Sequence, residues 1–473
     1  MRISFDNKKN ELMKKSIFLT MLYAITIHIT FGENTRKHTY TNVVVDSVKL
    51  WKTGVALKDL TYKSYDTRLL KNIDEFRVLE KPLMTKYGSD PRKHYTATGF
   101  FRTQKIDGRW WIIDPEGYPQ IVRGINAVRI GSSPHNKLIF AEKFKTETIW
   151  IEKVCDLFED LGFNGLGAWS EHDLVIQNNK YSKQIKSITI ELNFMKTFKA
   201  PVNWLSPVFD PDFPAYCNKR AQEIVSLYKN EKNLFGYFTD NELYFHTSNL
   251  VHYLTISDKT DPNRIAAENW LASRNQTINS ITDKDKIDFL GYLTDKYYSI
   301  TTAAIRKYDS NHMILGSRLH TPSKYVTSIL HSESKYCDIC SINNYEVWTP
   351  TDEQLKIWTD NLTIPYMITE FYAKAKDSGL PNTTGAGNFV QTQRDRAYFY
   401  QTYCLKLLES KSCVGWHWYK YLDCDLEDTQ AVRYEDANKG IVDNSYNLYE
   451  PLGNYMKELN LNVYRLIDFF DNK

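Results

Sequence analysis

From Gly99 onward, short apolar runs alternate with longer stretches whose apolar residues recur every three or four positions. The first pattern predicts buried strands and the second amphipathic helices. Eight runs have strand character: Ile121–Asn126, Gly165–Trp169, Ser187–Asn193, Phe235–Glu242, Met313–Leu319, Asp338–Tyr345, Pro365–Tyr372 and Val414–Tyr421. Between them, Ile151, Val154, Phe158 and Leu161 share one helical stripe, and similar periodicity falls near 221–228 and 289–305. Ahead of the first run, Asp107-Gly108 joins two β-like stretches and predicts a tight hairpin, because both residues tolerate positive φ.

Repeated strand–helix alternation implies a parallel sheet. Eight units predict an α/β fold of the closed (β/α)8 TIM-barrel kind, with catalytic groups at strand C-terminal ends. A doubly wound open sheet is the structural alternative, and the chain has no Gly-rich phosphate loop to favour it. The barrel is expected over 98–473, behind a short β-rich extension at 33–97 that includes a β-like piece at 41–48.

The N-terminus adds a destination. Lys14 and Lys15 precede the apolar run Ser16–Phe31, which ends at Gly32, and Met13 is a second candidate start. That arrangement predicts a secretory leader over 1–32 and a secreted or periplasmic protein. An uncleaved N-terminal anchor is the competing reading, although the run is short for a membrane span.

Composition narrows the partners. The 60 Lys and Arg nearly balance the 57 Asp and Glu, leaving a formal charge of +3 and no electrostatic case for nucleic acid or acidic lipid. The 32 Tyr and 11 Trp suit either an ordinary core or stacking on sugar rings. Seven cysteines show no paired metal-ligand pattern, although Cys337 and Cys340 have CxxC spacing. These two fall in strand-like surroundings and read as core thiols.

The candidate chemistry rests on two glutamates. Glu242 and Glu370 each close an apolar run, where a carboxylate is costly unless it is solvated at a cleft or paired. They end the fourth and seventh predicted strands, on opposite sides of a barrel mouth. A retaining glycoside hydrolase needs two such carboxyl groups about 5–5.5 Å apart. Trp416 and Trp418 lie two apart on the eighth strand and so face one side, either toward a sugar or into the core. His417 alternates away from them as a packed histidine. His320 and Trp169 are further candidates for substrate contact. Arg123 is read as a partner for a catalytic carboxylate or as an internal salt bridge, and Asp240 as structural. The Gly-, Asn- and Thr-rich stretch at 377–393 is either a lid or wall of the cleft or a loose surface connection.

Four stretches carry a resemblance: Gly108–Gly117, Gly236–Glu242, Thr369–Lys374 and Val414–Tyr421. In this order they are similar to the β-agarase-type family of the glycosidase clan whose catalytic glutamates end strands four and seven. The likeness runs over roughly 98–460. It implies that Glu242 is the general acid/base and Glu370 the nucleophile. It further implies that Asn241 bonds the 2-hydroxyl of the sugar, and that Tyr345 hydrogen-bonds Glu370 and holds it ionised. The substrate expected is a galactan-type polysaccharide or its oligosaccharides, cleaved at β-linkages with no metal and no organic cofactor. A β-galactosidase or β-mannanase-like enzyme of the same clan, or a non-catalytic carbohydrate-binding barrel, is the alternative.

Overall fold

Two strands near the N-terminus, β1 (Val43–Lys49) and β2 (Lys63–Thr67), pair antiparallel in the computed structural model. The structure describes residues 42–49, 60–199, 206–428 and 435–471, so the predicted leader at 1–32 lies outside the described residues. All of them fall in one unit, Tyr40–Lys473. Among them no helix is long and apolar enough to cross a membrane.

Next come β3 (Arg102–Ile106), β4 (Arg109–Ile113) and β5 (Pro119–Gln120), an antiparallel sheet. Its first turn is the predicted one: Asp107 and Gly108 have φ of 49° and 81°, as a type I′ hairpin requires.

The body of the fold then alternates. β6 (Val122–Ile125) is followed by α1 (Pro134–Lys143) and α2 (Glu147–Asp160), and β7 (Gly165–Leu166) by α3 (His172–Asn179). β8 (Ile188–Glu191) leads to α4 (Phe194–Phe198) and α5 (Phe213–Tyr228), and β9 (Leu234–Phe238) to α6 (Asn249–Leu254), α7 (Pro262–Ala272) and α8 (Asp283–Arg306). β10 (Met313–Ile314) precedes α9 (Thr327–Tyr336), and β11 (Cys340–Asn343) precedes α10 (Asp352–Asn361). After β12 (Tyr366–Phe371) come two short strands, β13 (Ala373–Ala375) and β14 (Asn388–Val390), then α11 (Gln393–Glu409) and β15 (Cys413–Trp418). The chain closes with α12 (Glu450–Leu461) and α13 (Val463–Phe470).

All eight predicted strands are present, and their ladders are parallel. They form one sheet in the order β11-β12-β15-β6-β7 and another in the order β10-β9-β8. Single parallel bridges link the two, Gly165 to Ser187 on one side and Leu319 to Ile342 on the other.

Local sequence explains the helices between them. Thr146 accepts from the Ile149 N–H to cap α2, whose buried face includes Ile151, Val154 and Phe158, three residues of the predicted stripe. Thr282 with Asp285, and Thr392 with Asp395, form reciprocal capping boxes that start α8 and α11. Helices bury one face against the strands. On the opposite face of the strands Val122, Phe235, Phe238, Met313, Met367 and Val414 form a separate apolar cluster with Phe101 and Ile112.

The strands stop short of their predicted ends for a physical reason. Trp169, Asn193, Glu242 and Arg318 follow β7, β8, β9 and β10 with φ between 51° and 60°. A left-handed residue cannot continue a ladder, and for Trp169, Glu242 and Arg318 that conformation carries backbone strain. The extension at 33–97 is joined to the same rim, because β1 pairs with β14 and β14 with β13. The stretch at 377–393 is therefore tied down. Lys374 donates to the Gly385 carbonyl, and Asp436 accepts from Thr383 and Thr384.

Candidate active site

Residues from β9, β10, β11 and β12 meet at the C-terminal ends of these strands. The Glu242 N–H donates to the Ser317 carbonyl at 3.1 Å, fixing the backbone beyond β9 to the turn beyond β10. Its carboxylate accepts from Asn343 Nδ2 at 2.8 Å. Asn343 is set in turn by Thr369 Oγ1, which donates to Asn343 Oδ1 at 2.8 Å. Asn241 Oδ1 accepts from Arg318 Nε at 2.8 Å and from Asn343 Nδ2 at 3.4 Å. Arg318 Nη2 donates to Glu370 Oε1, and Tyr345 Oη donates to Glu370 Oε2. One hydrogen-bonded path thus runs from Glu242 through Asn343, Asn241 and Arg318 to Glu370.

Arg318 is fully buried, and two rings cover it: Trp169 at 4.7 Å and Phe238 at 4.9 Å from their centroids. Burial strengthens its pull on neighbouring carboxylates. Glu370 is 5% exposed, and the net effect on its carboxyl is a rise above the usual range. Burial is the largest cause and Glu242 adds to it, while Arg318 and Tyr345 oppose them. The tyrosine therefore works toward the ionised form, as expected, but burial outweighs it. Tyr345 itself is pushed well above its ordinary value, so it stays a neutral donor.

Each predicted site residue has a definite place. Asn241, Glu242, Tyr345 and Glu370 are in the network. His320 lies near enough to Glu370 for the carboxylate to act on its titration, and burial with Lys324 lowers its pKa. The Trp169 ring lies against the Arg318 guanidinium. Asp240 is structural: fully buried, it accepts from the Met195 and Lys196 N–H groups at the start of α4 and from Tyr297, and its carboxyl is raised to about 6.

Three predictions are corrected. Among the described residues Arg123 pairs with no carboxylate. It donates to the carbonyls of Ile121, Gly162 and Gly88 and to Tyr464 Oη, near the start of β6. Trp416 and Trp418 do share a side, but it is the helix side. Both are fully buried, with Trp416 Nε1 bonded to Tyr400 Oη and Trp418 Nε1 to the Lys439 carbonyl. The cause is a β-bulge: Tyr366 pairs with Cys413 but Ile368 with Trp416, so β15 carries one extra residue there. Val414 consequently points inward and Trp416 outward. His417 is the inward residue, buried and pushed down to about 3.

Sequence reasoning passed over Arg318, Asn343 and Glu191. Arg318 is hidden in Gly316–His320, where no motif marks it. Asn343 stands next to the noticed Tyr345. Glu191 ends β8, the position by which Glu242 and Glu370 were found, but two residues of further apolar-looking run concealed it. All seven cysteines are buried free thiols. Among the described residues no group of three or more His, Cys, Asp or Glu side chains is placed to hold a metal ion.

No family model matches the chain. A solved structure, BpGH50, is 31% identical, covers 95% of this chain and 100% of its own, and superimposes with a TM-score of 0.82. An agarase, AgWH50C, is 21% identical with a TM-score of 0.71, covering 82% of this chain and 67% of its own, and shares the fold. Beta-agarase B of Vibrio sp. (strain JT0107) is 23% identical over 78% of this chain and 49% of its own length. The chain spans about half the length of the curated relatives it matches. The mixed α/β fold is that of the GH50 structures. The chain belongs to the GH50 family.

Proposed function

We propose that this chain is an exported retaining glycoside hydrolase that cleaves β-linkages in a galactan-type polysaccharide or its oligosaccharides. The observation that carries the reading is the hydrogen-bonded path joining Glu242 to Glu370 through Asn343, Asn241 and Arg318. Two strand-end carboxyl groups held by one fixed scaffold are what a double displacement needs. Agarase relatives support the galactan. The basic and apolar segment at 14–31 supports export.

In this reading the eight parallel strands close into a (β/α)8 barrel. The two bridges between the sheets, and an inner cluster drawn from strands of both, support closure. The sites then lie at the C-terminal rim.

Glu370 attacks the anomeric carbon while Glu242 gives its proton to the departing glycosidic oxygen. The products of that step are a glycosyl ester on Glu370 and a free leaving-group hydroxyl. Glu242, now a carboxylate, takes a proton from water as the water oxygen attacks the same carbon, which frees Glu370 and restores both groups. Arg318 and Tyr345 donate to both oxygens of Glu370 and stabilise it as the leaving carboxylate of the second step. With its oxygen held by Arg318 and Asn343, Asn241 presents its amide NH2 to the 2-hydroxyl. The carboxyl groups perform every proton and covalent transfer, so the reading calls for no metal or organic cofactor.

The test is product release by the purified protein from agarose, porphyran, carrageenan, β-mannan and aryl β-galactosides, with Glu370→Gln as the blank. Release from a galactan that falls more than about 10⁴-fold in the variant is expected. Glu242→Gln is expected to slow natural substrates about 10²–10⁴-fold and activated aryl glycosides far less, because good leaving groups need no proton. Wild-type rates in either variant would overturn the roles.

A further inference from the structure

Glu191 is a third carboxylate at this rim. It ends β8, it is half-buried, and Arg318 is the charge that acts on it. Arg318, however, makes its ion pair with Glu370. The backbone N–H groups of Trp169 and of Glu191 itself donate to the carboxylate, but Glu191 Oε1 is buried without a hydrogen-bond partner among the described residues. Two neighbours share that condition. Arg318 Nη1 has no partner, and neither has Asn193 Oδ1, two residues further along the same strand end.

A carboxylate in this setting carries a desolvation cost that Arg318 and the two backbone donors offset only in part. The consequence is visible in its titration: burial raises the group to about 7. A hydroxyl-bearing ligand removes the cost, since a hydroxyl donates to a carboxylate and accepts from a guanidinium. Arg318 holds Glu370 and Asn241 directly and also acts on Glu191, so one guanidinium serves all three groups. The half-exposed Trp169 ring, over the same guanidinium, supplies an apolar face for a sugar. A second anion brought to Glu191 would be repelled by its carboxylate, because the charge of Arg318 is already balanced by Glu370.

We propose that Glu191 is a specificity-determining residue of the sugar subsite beside Glu370. Its carboxylate accepts a hydroxyl hydrogen of the ring lying against Trp169, and its charge rejects a ring substituted there by sulfate or carboxylate. The inference rests on the hydrolase reading and narrows it to an unsubstituted, neutral galactan unit at that position.

The experiment compares wild type, Glu191→Gln and Glu191→Ala on neutral agarose oligosaccharides and on sulfated counterparts of equal length, over a range of pH. Glu191→Gln keeps the volume and an acceptor for the Trp169 N–H while removing the charge. The expected result is a tenfold or greater rise in KM for the neutral substrate with a smaller change in kcat. The preference for neutral over sulfated substrate should shrink by tenfold or more. The rise of wild-type KM below about pH 7 should flatten in Glu191→Gln. The proposal is overturned if Glu191→Gln matches wild type while Glu191→Ala alone fails, or if both substrates decline in parallel. The same comparison by calorimetric binding in a Glu370→Gln background keeps this test separate from the hydrolase reading. A Kd for the neutral oligosaccharide that does not weaken when Glu191 is replaced there would sink the proposal even with no turnover at all.

Discussion

Arg318 donates to Glu370 from the turn after β10, and the two side chains are 0% and 6% exposed. The pair is buried, so removing one partner leaves the other charged and unsatisfied, an expensive change. Arg318 is shared with Asn241, which is why the arginine couples the nucleophile candidate to the residue next to the acid/base candidate. A left-handed backbone at Arg318, φ 55°, aims it there.

The coupling has a pH signature. Arg318 and Tyr345 lower the Glu370 pKa, whereas Glu242 raises it. Losing a lowering group makes Glu370 keep its proton to higher pH, so the acidic limb of kcat/KM moves up. Tyr345→Phe should shift that limb upward, in line with the loss of a hydrogen bond to the charged form. Glu242→Gln should shift it downward, measured with an activated aryl glycoside that needs no acid. The limb is a property of the coupled pair. Equal limbs in all three proteins would remove Glu370 from the role of ionised nucleophile.

The two tryptophans of β15 separate packing from recognition. Trp418 lies against Phe371, Phe399 and Tyr400, and its indole N–H is bonded inside the protein. Trp416→Phe and Trp418→Phe should each cost about 1–3 kcal/mol of stability, read as a lower Tm, through lost volume and a stranded acceptor. KM should stay within twofold of wild type. A large rise in KM with unchanged Tm would restore them as sugar platforms.

This pair also marks how far the sequence was legible. Period-two reasoning correctly put Trp416 and Trp418 on one side. It could not decide which side, because the extra residue between Cys413 and Trp416 reverses the alternation carried up from Val414. The eight strands were readable because each is a short, nearly continuous apolar run between helical periods. Their ends were not, since Trp169, Asn193, Glu242 and Arg318 turn left-handed through tertiary constraint and no residue type announces it. The glutamates at 242 and 370 could be found since an acid closing an apolar run is conspicuous. Arg318 could not, because its significance lies in what it touches rather than in its neighbours along the chain. Arg123, the arginine that sequence reasoning did select, is held by backbone carbonyls at the other end of its strand.

Glu333 on α9 provides a stability test away from the chemistry. It is fully buried, with its carboxyl raised to about 8 by burial and accepting from Cys340 Sγ at 2.8 Å, Tyr298 Oη at 3.2 Å and the Ser317 N–H at 3.3 Å. The unfolded chain loses this proton near the ordinary value of 4.5, while the folded protein keeps it to about pH 8. Between those values the folded state binds more protons, so this group's contribution to stability is present below about 4.5 and is lost as pH rises toward 8. The slope is at most about 1.4 kcal/mol per pH unit for one proton. Glu333→Gln has no proton to lose. Its Tm should lie near or slightly below that of wild type at pH 5, and above it at pH 9. Gly316, where an added Cβ would meet Glu333 Oε1 at 1.8 Å, is the residue whose missing side chain makes room for this carboxyl. A Tm difference between the two proteins that is the same at both pH values would mean that Glu333 titrates normally in the fold.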